Sequence, residues 1–429
     1  MIRGFVPGRI EVFGRHTDYA GGRSIVCALD RGFSFTAVAR SDQVLTLTEE
    51  GQEFEPVELT LDERLQPQAG SWSNYPATMA RRLVRNFPGA LKGVDISFRS
   101  TLPVGSGMSG SSALMMMVFT ALAASNNLPA DRRFTENIRT PIDLAVYLAC
   151  AENGQGFRGL EGDRGVGTFG GSEDHAAILM ARAGSLSLFS FSPPGLIEEI
   201  PWPAGWRMAV AFCGVRAEKT KEALEKYNLA SRRVRDALEV FNALAGTGLA
   251  TLREAVDHEP KPGGPGWLEE LDRAGAADGK APALSDRVRQ FLAEDRTHIP
   301  AAREALVRQD LKEFGRLLSA SHQASRDCLW NIVPEIDFLQ ASAVEQGAAG
   351  ASGFGAGFGG SIVAVTTEER AGRFLEEWRN SYIAQYMNRA PQADFFLVKP
   401  SDGIRVRTDS GPARYVDTVF SPRSSTPAP

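Results

Sequence analysis

The first hundred residues follow a two-residue period. RIEVFG (9–14), SIVCALD (24–30), FSFTAVAR (33–40) and VLTLTEE (44–50) alternate apolar with polar positions or form short Val/Ile/Phe runs, which predicts a β-rich start. GVDISFRSTLP (93–103) reads as a further strand. It feeds a Gly/Ser loop at 105–112 and then the apolar, Met-rich stretch 113–124, whose length and residue types predict a buried helix. PIDLAVYLACAEN (141–153) predicts a second helix, which runs into GQGFRGLEGDRGVGTFGGSEDH (154–175). AAILMARAGSLSLFSF (176–191) then passes from helix to strand. The proline-rich PPGLIEEIPWPAGW (193–206) is the expected domain boundary. Beyond it, RMAVAFCG predicts a strand before charged helices at 218–244, 251–256, 284–291 and 300–318, with HEPKPGGPG (258–266) as a loop. GASGFGAGFGGSIVAV (350–365) joins a glycine loop to a strand, FLEEWRNSYIAQYM (374–387) is helical and DFFLVKP (394–400) is strand-like. The division expected is 1–200, 201–406 and a flexible tail at 407–429, ending in SPRSSTPAP. No repeat of solenoid or propeller length is present.

Composition narrows the classes. A chain of 429 residues exceeds one ordinary hydrophobic core, so two domains are expected. With 43% hydrophobic and 23% charged residues, it is soluble and globular in composition. The net charge of −5 provides no basic field for nucleic acid, and no local basic patch stands out. Cys27, Cys150, Cys213 and Cys328 lie far apart without a CxxC pair, which fits small buried thiols in a reducing cytoplasm. The longest apolar run, 113–124, is interrupted by Thr120 and is too short to cross a bilayer. MIRGFVPGR lacks the apolar stretch of a signal peptide, so no membrane association is expected.

The loop PVGSGMSGSSA (103–113) is the most informative local motif. It sets three glycines, four serine hydroxyls and free backbone amides at a helix start, where the amides and the helix dipole attract phosphate. Gly105, Ser106, Gly107, Ser109, Gly110, Ser111 and Ser112 are the candidate nucleotide contacts. Gly105, Gly107 and Gly110 also satisfy G-x-G-x-x-G with Asp131 downstream, so a dinucleotide site has to be weighed. The expected second strand is replaced by NNLPADRR, and the serines suit nucleotide phosphates and magnesium better. No P-loop or protein-kinase motif occurs. A plain Gly/Ser turn is the bland alternative, and the glycine run 352–361 taken alone admits a tight turn.

Three segments in order resemble the GHMP kinase superfamily, and within it most closely the galactokinases: PGRIEVFGRHTDYAGG (7–22), PVGSGMSGSSA (103–113) and GFGAGFGGS (353–361). SHQASRDCLWNIVPEIDFL (321–339) and FFLVKPSDG (395–403) agree as well. The resemblance implies an α+β, two-domain architecture with the active site in the interdomain cleft. It also implies an enzyme that uses ATP and Mg2+ to phosphorylate the anomeric hydroxyl of a galactose-like sugar. Carried across residue by residue, it implies Asp174 and Arg9 as catalytic residues, and Ser112 and Glu152 as magnesium ligands. Arg15, His16, Asp18, Gly171 and Tyr227 become sugar contacts, and Gly357 belongs to the ATP site. Each has an ordinary structural alternative: a surface ion pair for Arg9, a turn cap for Asp18, a solvated helix end for Glu152, a core aromatic for Tyr227. His258 and His298, without partners at ligand spacing, are expected on the surface.

Four departures bear on the substrate. Arg15 stands where galactokinases carry glutamate, Glu11 replaces asparagine, His175 replaces glutamine, and GFRGLEGDRG (156–165) is inserted between Glu152 and Asp174. A guanidinium donates hydrogen bonds and pairs with carboxylates. Arg15 therefore raises two alternatives: a uronate as substrate, or an internal pair with Glu11 or Glu173. The internal pair is the preferred one. Outside the enzyme class stands a sugar- and ATP-binding regulatory protein without turnover.

Overall fold

The structure, a computed structural model, describes every residue except 52, 69, 218–220, 259–264, 275–282, 409, 410 and 421–429. The HEPKPGGPG loop falls mainly, and SPRSSTPAP wholly, outside the described residues.

The alternating N-terminal segments form a long hairpin, β1 (Ile2–Phe13) and β2 (Arg23–Ala39), joined by a 3-10 turn at Asp18–Ala20. From Val6 to Phe13 every residue of β1 is buried, as a strand covered on both faces must be. Around the hairpin lie β3 (Val44–Glu49), β4 (Val57–Thr60), β5 (Val94–Ser100), β6 (Ser185–Phe191) and β7 (Pro194–Pro201). A second, four-stranded antiparallel sheet holds β8 (Trp206–Phe212), β9 (Gly350–Phe354), β10 (Ser361–Thr367) and β11 (Asp394–Val398) in the order β11-β8-β10-β9. The last strands, β12 (Arg405–Thr408) and β13 (Gly411–Arg414), return to the first sheet, whose order is β13-β12-β1-β2-β5-β3-β4, with β6 and β7 branching from β2. Within this sheet only β3 and β5 run parallel. That is not the parallel sheet a dinucleotide fold requires, so the G-x-G-x-x-G reading falls.

Two expectations are corrected here. Residues 407–429 are not a tail throughout: β12 pairs with β1, β13 pairs with β12, and the helix Tyr415–Phe420 buries Tyr415 and Val416 in the main core. The proline-rich segment is not a linker along its length either. Pro194–Pro201 is strand β7, paired to β6, and the chain enters the second sheet only at Trp206.

The helix Gly110–Ser125 is buried on all sides from Ser112 to Ala123, which explains its lack of a polar face. It packs on the first sheet inside a core that continues into the second: Met208 and Val210 of β8 and Val363 and Val365 of β10 share that core. Their alternate neighbours Ala209, Ala211, Ile362 and Ala364 face the other way, against the helices Pro334–Glu345 and Glu368–Gln385. A third cluster joins Phe241, Trp267, Val288 and Phe291 of the charged helices and packs beside Ala20. Among the described residues no helix is long and apolar enough to cross a membrane. All four cysteines are free: Cys27, Cys150 and Cys213 are buried and Cys328 half-buried. His258 is exposed, but His298 is buried, 3.4 Å from Glu294 Oε1. The helix at 284–291 continues through it instead of ending in a loop.

Candidate active site

A cavity of about 900 Å³ opens between the end of β1, the glycine loop 105–112 and the loop after β9. Every residue of the expected site lines it except Arg15.

Each wall has a local cause. Arg9 leaves the buried part of β1 and lays Nε 2.7 Å from Asp174 Oδ1, with Nη2 also 2.7 Å from that oxygen. Its Nη1 donates to the Gly107 carbonyl at 2.7 Å, and its backbone N–H to the Met108 carbonyl at 3.2 Å. One side chain thus joins the carboxylate to the glycine loop. Burial opposes the charge on Arg9, but Asp174, Glu173 and Glu11 outweigh it and raise its pKa above the usual arginine value. Asp174 sits in the first turn of the helix Glu173–Met180. Asp18 reaches that same helix start, accepting from the Glu173 N–H at 3.3 Å. Burial raises the Asp18 pKa, and the nearby Asp174 charge adds to the effect. A Cβ on Gly171 would stand 2.3 Å from Asp18 Oδ2, so glycine at this position is what admits the carboxylate. A Cβ on Gly170 would meet the Tyr227 hydroxyl at 2.8 Å. Tyr227 comes from the helix Lys221–Ala245, with its ring 5.7 Å from that of His16.

The glycine loop ends at Ser109, in the left-handed region at φ 59°, and no side chain caps the helix that begins at Gly110. Among the described residues, the buried Ser109 Oγ has no hydrogen-bond partner. Open amides and an orphaned hydroxyl at a helix N-terminus form an anion cradle. Ser112, one turn in, donates to Glu152 Oε2 at 2.7 Å across 40 residues of sequence. Glu152 is delivered by the helix Pro141–Asn153, which a Thr140/Asp143 capping box starts and Gly154, at φ 79°, stops. Gly357 lines the facing wall. Beside it, Gly355 lies so close that a Cβ would stand 2.7 Å from the Gly107 carbonyl.

His16 and Arg15 depart from their expected roles. His16 Nδ1 lies 2.7 Å from the Tyr19 hydroxyl and Nε2 3.2 Å from the Ala356 carbonyl. Both ring nitrogens are thereby engaged within the protein. Burial, with Arg287 nearby, lowers its pKa to about 3, so a neutral ring braces the wall and offers a sugar no hydrogen-bonding group. Arg15 is 1% exposed and points away from the cavity, with Nη2 3.0 Å from Ser352 Oγ and Nη1 3.5 Å from Ser325 Oγ. Burial lowers its pKa, and Glu11, Glu294 and Glu173 oppose that effect. Arg15 therefore does not face the cavity: two serine hydroxyls hold its guanidinium, and Glu11, Glu294 and Glu173 act on it as nearby charges and not as hydrogen-bonded ion pairs.

Glu173 was expected only as a partner of Arg15, and an aromatic lobe was missed. Glu173 is buried 3.8 Å from Arg9 Nε and accepts from Ser24, and burial lifts its pKa well above the carboxylate range. The far end of the cavity is lined by Phe33, Phe54, Trp72, Tyr75 and Phe98, with Trp72 5.3 Å from the Phe54 ring and 6.2 Å from the Phe98 ring. The phenylalanines of β2 and β5 carried a strand signal, but nothing local linked them to Trp72.

Comparison with known proteins agrees with this geometry. Residues 3–39 match the galactokinase galactose-binding signature, residues 74–146 the GHMP kinase N-terminal domain, and residues 302–384 the GHMP kinase C-terminal domain. The chain is 26% identical to a galactokinase of Enterococcus faecalis over 94% of both chains. It is 28% identical to that of Exiguobacterium sibiricum over 94% of this chain and 93% of the relative. The fold matches that of Lactococcus lactis galactokinase complexed with galactose at a TM-score of 0.75, with 24% identity and 94% of each chain covered. A mevalonate kinase structure matches at 0.55 and 14% identity, over 93% of this chain and 98% of that one. With the glycine cradle, the Arg9–Asp174 pair and both domain signatures in one chain, this protein belongs to the GHMP kinase superfamily and carries the galactokinase signature at its N-terminus.

Proposed function

We propose that this chain transfers the γ-phosphoryl group of ATP to the anomeric hydroxyl of a galactose-like, neutral hexose. The observation that carries the reading is the junction made by Arg9, which binds Asp174 with one edge of its guanidinium and the glycine loop with another. Phosphoryl transfer needs positioning and compensation of spreading negative charge more than covalent chemistry. Arg9 supplies a fixed positive charge between the phosphate cradle and the acceptor. Asp174 orients the acceptor hydroxyl and takes its proton. Asp18, Gly171 and Tyr227 form the sugar end, and the phosphates lie on the amides of 105–112. The aromatic lobe around Trp72 receives the adenine ring by stacking.

Ser112 and Glu152 suit magnesium. Both are nearly buried, both face the cavity and both offer oxygen to a hard cation that keeps part of its water shell. When bound, the ion neutralises phosphate charge. Four free thiols fit a reducing cytoplasm.

The uronate alternative is not favoured. Arg15 does not reach the cavity, and Arg9, the guanidinium that lines it, is already engaged by Asp174, beside which a substrate carboxylate would meet repulsion. Arg9 and Asp174 likewise weigh against a binding protein without turnover. The test is incubation with ATP and Mg2+ against a panel of neutral and acidic monosaccharides, with products read by phosphorus NMR. Galactose 1-phosphate is expected. Absence of any phosphorylated sugar, or phosphorylation of uronates alone, would refute the reading.

A further inference from the structure

Two side chains converge on one carboxylate oxygen in the cavity wall. Ser112 Oγ lies 2.7 Å from Glu152 Oε2, and His175 Nε2 lies 3.1 Å from that same oxygen. Ser112, Glu152 and His175 are 2%, 4% and 3% exposed, yet all three line the cavity. His175 is presented by the first turn of the Glu173–Met180 helix, directly after Asp174.

The imidazole is unsatisfied. Its approach to Glu152 is close but not aligned as a hydrogen bond, and among the described residues neither Nδ1 nor Nε2 has a hydrogen-bond partner. A polar ring buried to this degree without a partner is costly, so a group from outside the chain is the natural complement. The spacing fits a metal ion. Adjacent ligands of an octahedral cation with bonds of roughly 2.1 Å lie about 3 Å apart, and the two observed separations fall on either side of that figure. Magnesium favours all-oxygen shells, whereas a neutral imidazole draws first-row divalent metals.

We propose that His175 Nε2 is a direct ligand of the nucleotide-bound metal beside Glu152 and Ser112, and that this nitrogen shifts the site's preference from Mg2+ toward Mn2+. The inference rests on the kinase reading, because the metal is taken to arrive with the nucleotide. Its competitor is a positioning role, in which His175 braces Glu152 and affects every metal alike.

The experiment uses the full chain with Mn2+ and the β,γ-methylene analogue of ATP, which has no bridging nitrogen. Pulsed electron paramagnetic resonance should detect a coupled 14N nucleus, replaced by 15N when the protein carries 15N-histidine. The signal should vanish in His175→Gln. In that variant the ratio of Mn2+ to Mg2+ affinity, measured by titration of the nucleotide complex, should fall about tenfold. A bound Mn2+ without nitrogen coupling in the unsubstituted protein overturns the inference, even if the variant does not fold. So does a His175→Gln protein that loses both metals equally. If sugar phosphorylation proceeds in either case, the kinase reading stands alone. If the chain neither binds metal–nucleotide nor phosphorylates a sugar, both fail.

Discussion

Arg9 and Asp174, 165 residues apart, share one oxygen: Nε and Nη2 of the guanidinium both lie 2.7 Å from Asp174 Oδ1. The pair is asymmetric in exposure, with the Arg9 side chain 6% and the Asp174 side chain 31% exposed. The carboxylate is thus anchored on the protein side while still open to the cavity. Such an arrangement orients a base without sealing it from an acceptor hydroxyl.

Asp174→Asn keeps the shape and removes the proton acceptor. Turnover should fall by about 10²-fold or more, with nucleotide binding changed by less than about threefold. Steady-state kinetics set beside a direct nucleotide titration separates the two. A variant with near-normal turnover would remove Asp174 from the chemistry.

Arg15→Glu should damage folding and leave sugar choice alone. It would place a carboxylate beside Glu11, Glu173 and Glu294 in a site that is 1% exposed. Breaking a buried charge set costs on the order of 3–5 kcal/mol. Denaturant unfolding should show that loss, and the ratio of galactose to galacturonate turnover should stay constant in the folded fraction. Unchanged stability with a shifted sugar preference would return Arg15 to the substrate site.

Trp72→Ala should raise the Michaelis constant for ATP about tenfold and leave that for sugar within about twofold, because Trp72 lines the cavity in an aromatic cluster with Phe54 and Phe98. Kinetics with both substrates varied would show it. Equal effects on both constants would mean that the lobe is not the base pocket.

Acid should destabilise the fold through His322. Its Nδ1 accepts from the Gly353 N–H at 3.3 Å and its Nε2 faces Asp337 Oδ1 at 3.2 Å, and burial, with Arg15 nearby, lowers its pKa to about 4. The unfolded chain titrates near 6.5 and so binds the proton first as pH falls. The contribution to stability is therefore complete above about pH 6.5 and is lost toward pH 4, on the order of 3 kcal/mol in total. His322→Gln should flatten the pH dependence of urea unfolding across that window. Parallel curves for the two proteins would show that His322 is not responsible.

The legible part of this protein is the part written in short stretches. Alternation in β1 to β3 followed from the pleat, since successive side chains face opposite sides. The loop that ends at Ser109 before a buried helix followed from glycines and serines at a helix start. Asp18, Gly171 and Asp174 sit in compact motifs whose residues must be near one another to work, and the resemblance of those motifs could be read without coordinates. What tertiary structure alone decided is long-range. The return of β12 and β13 to β1 joins segments some 400 residues apart, a pairing with no local signature. The aromatic lobe draws on β2, β5 and the segments around Phe54 and Trp72, each of which alone is ordinary core sequence. The direction of Arg15 depended on which groups of the second sheet and of the helices around Glu294 came to face it. A charge reversal in a motif names the residue that changed, but whether that charge meets solvent, substrate or a buried counter-ion is set by packing, because the cost of burying it depends on its partners.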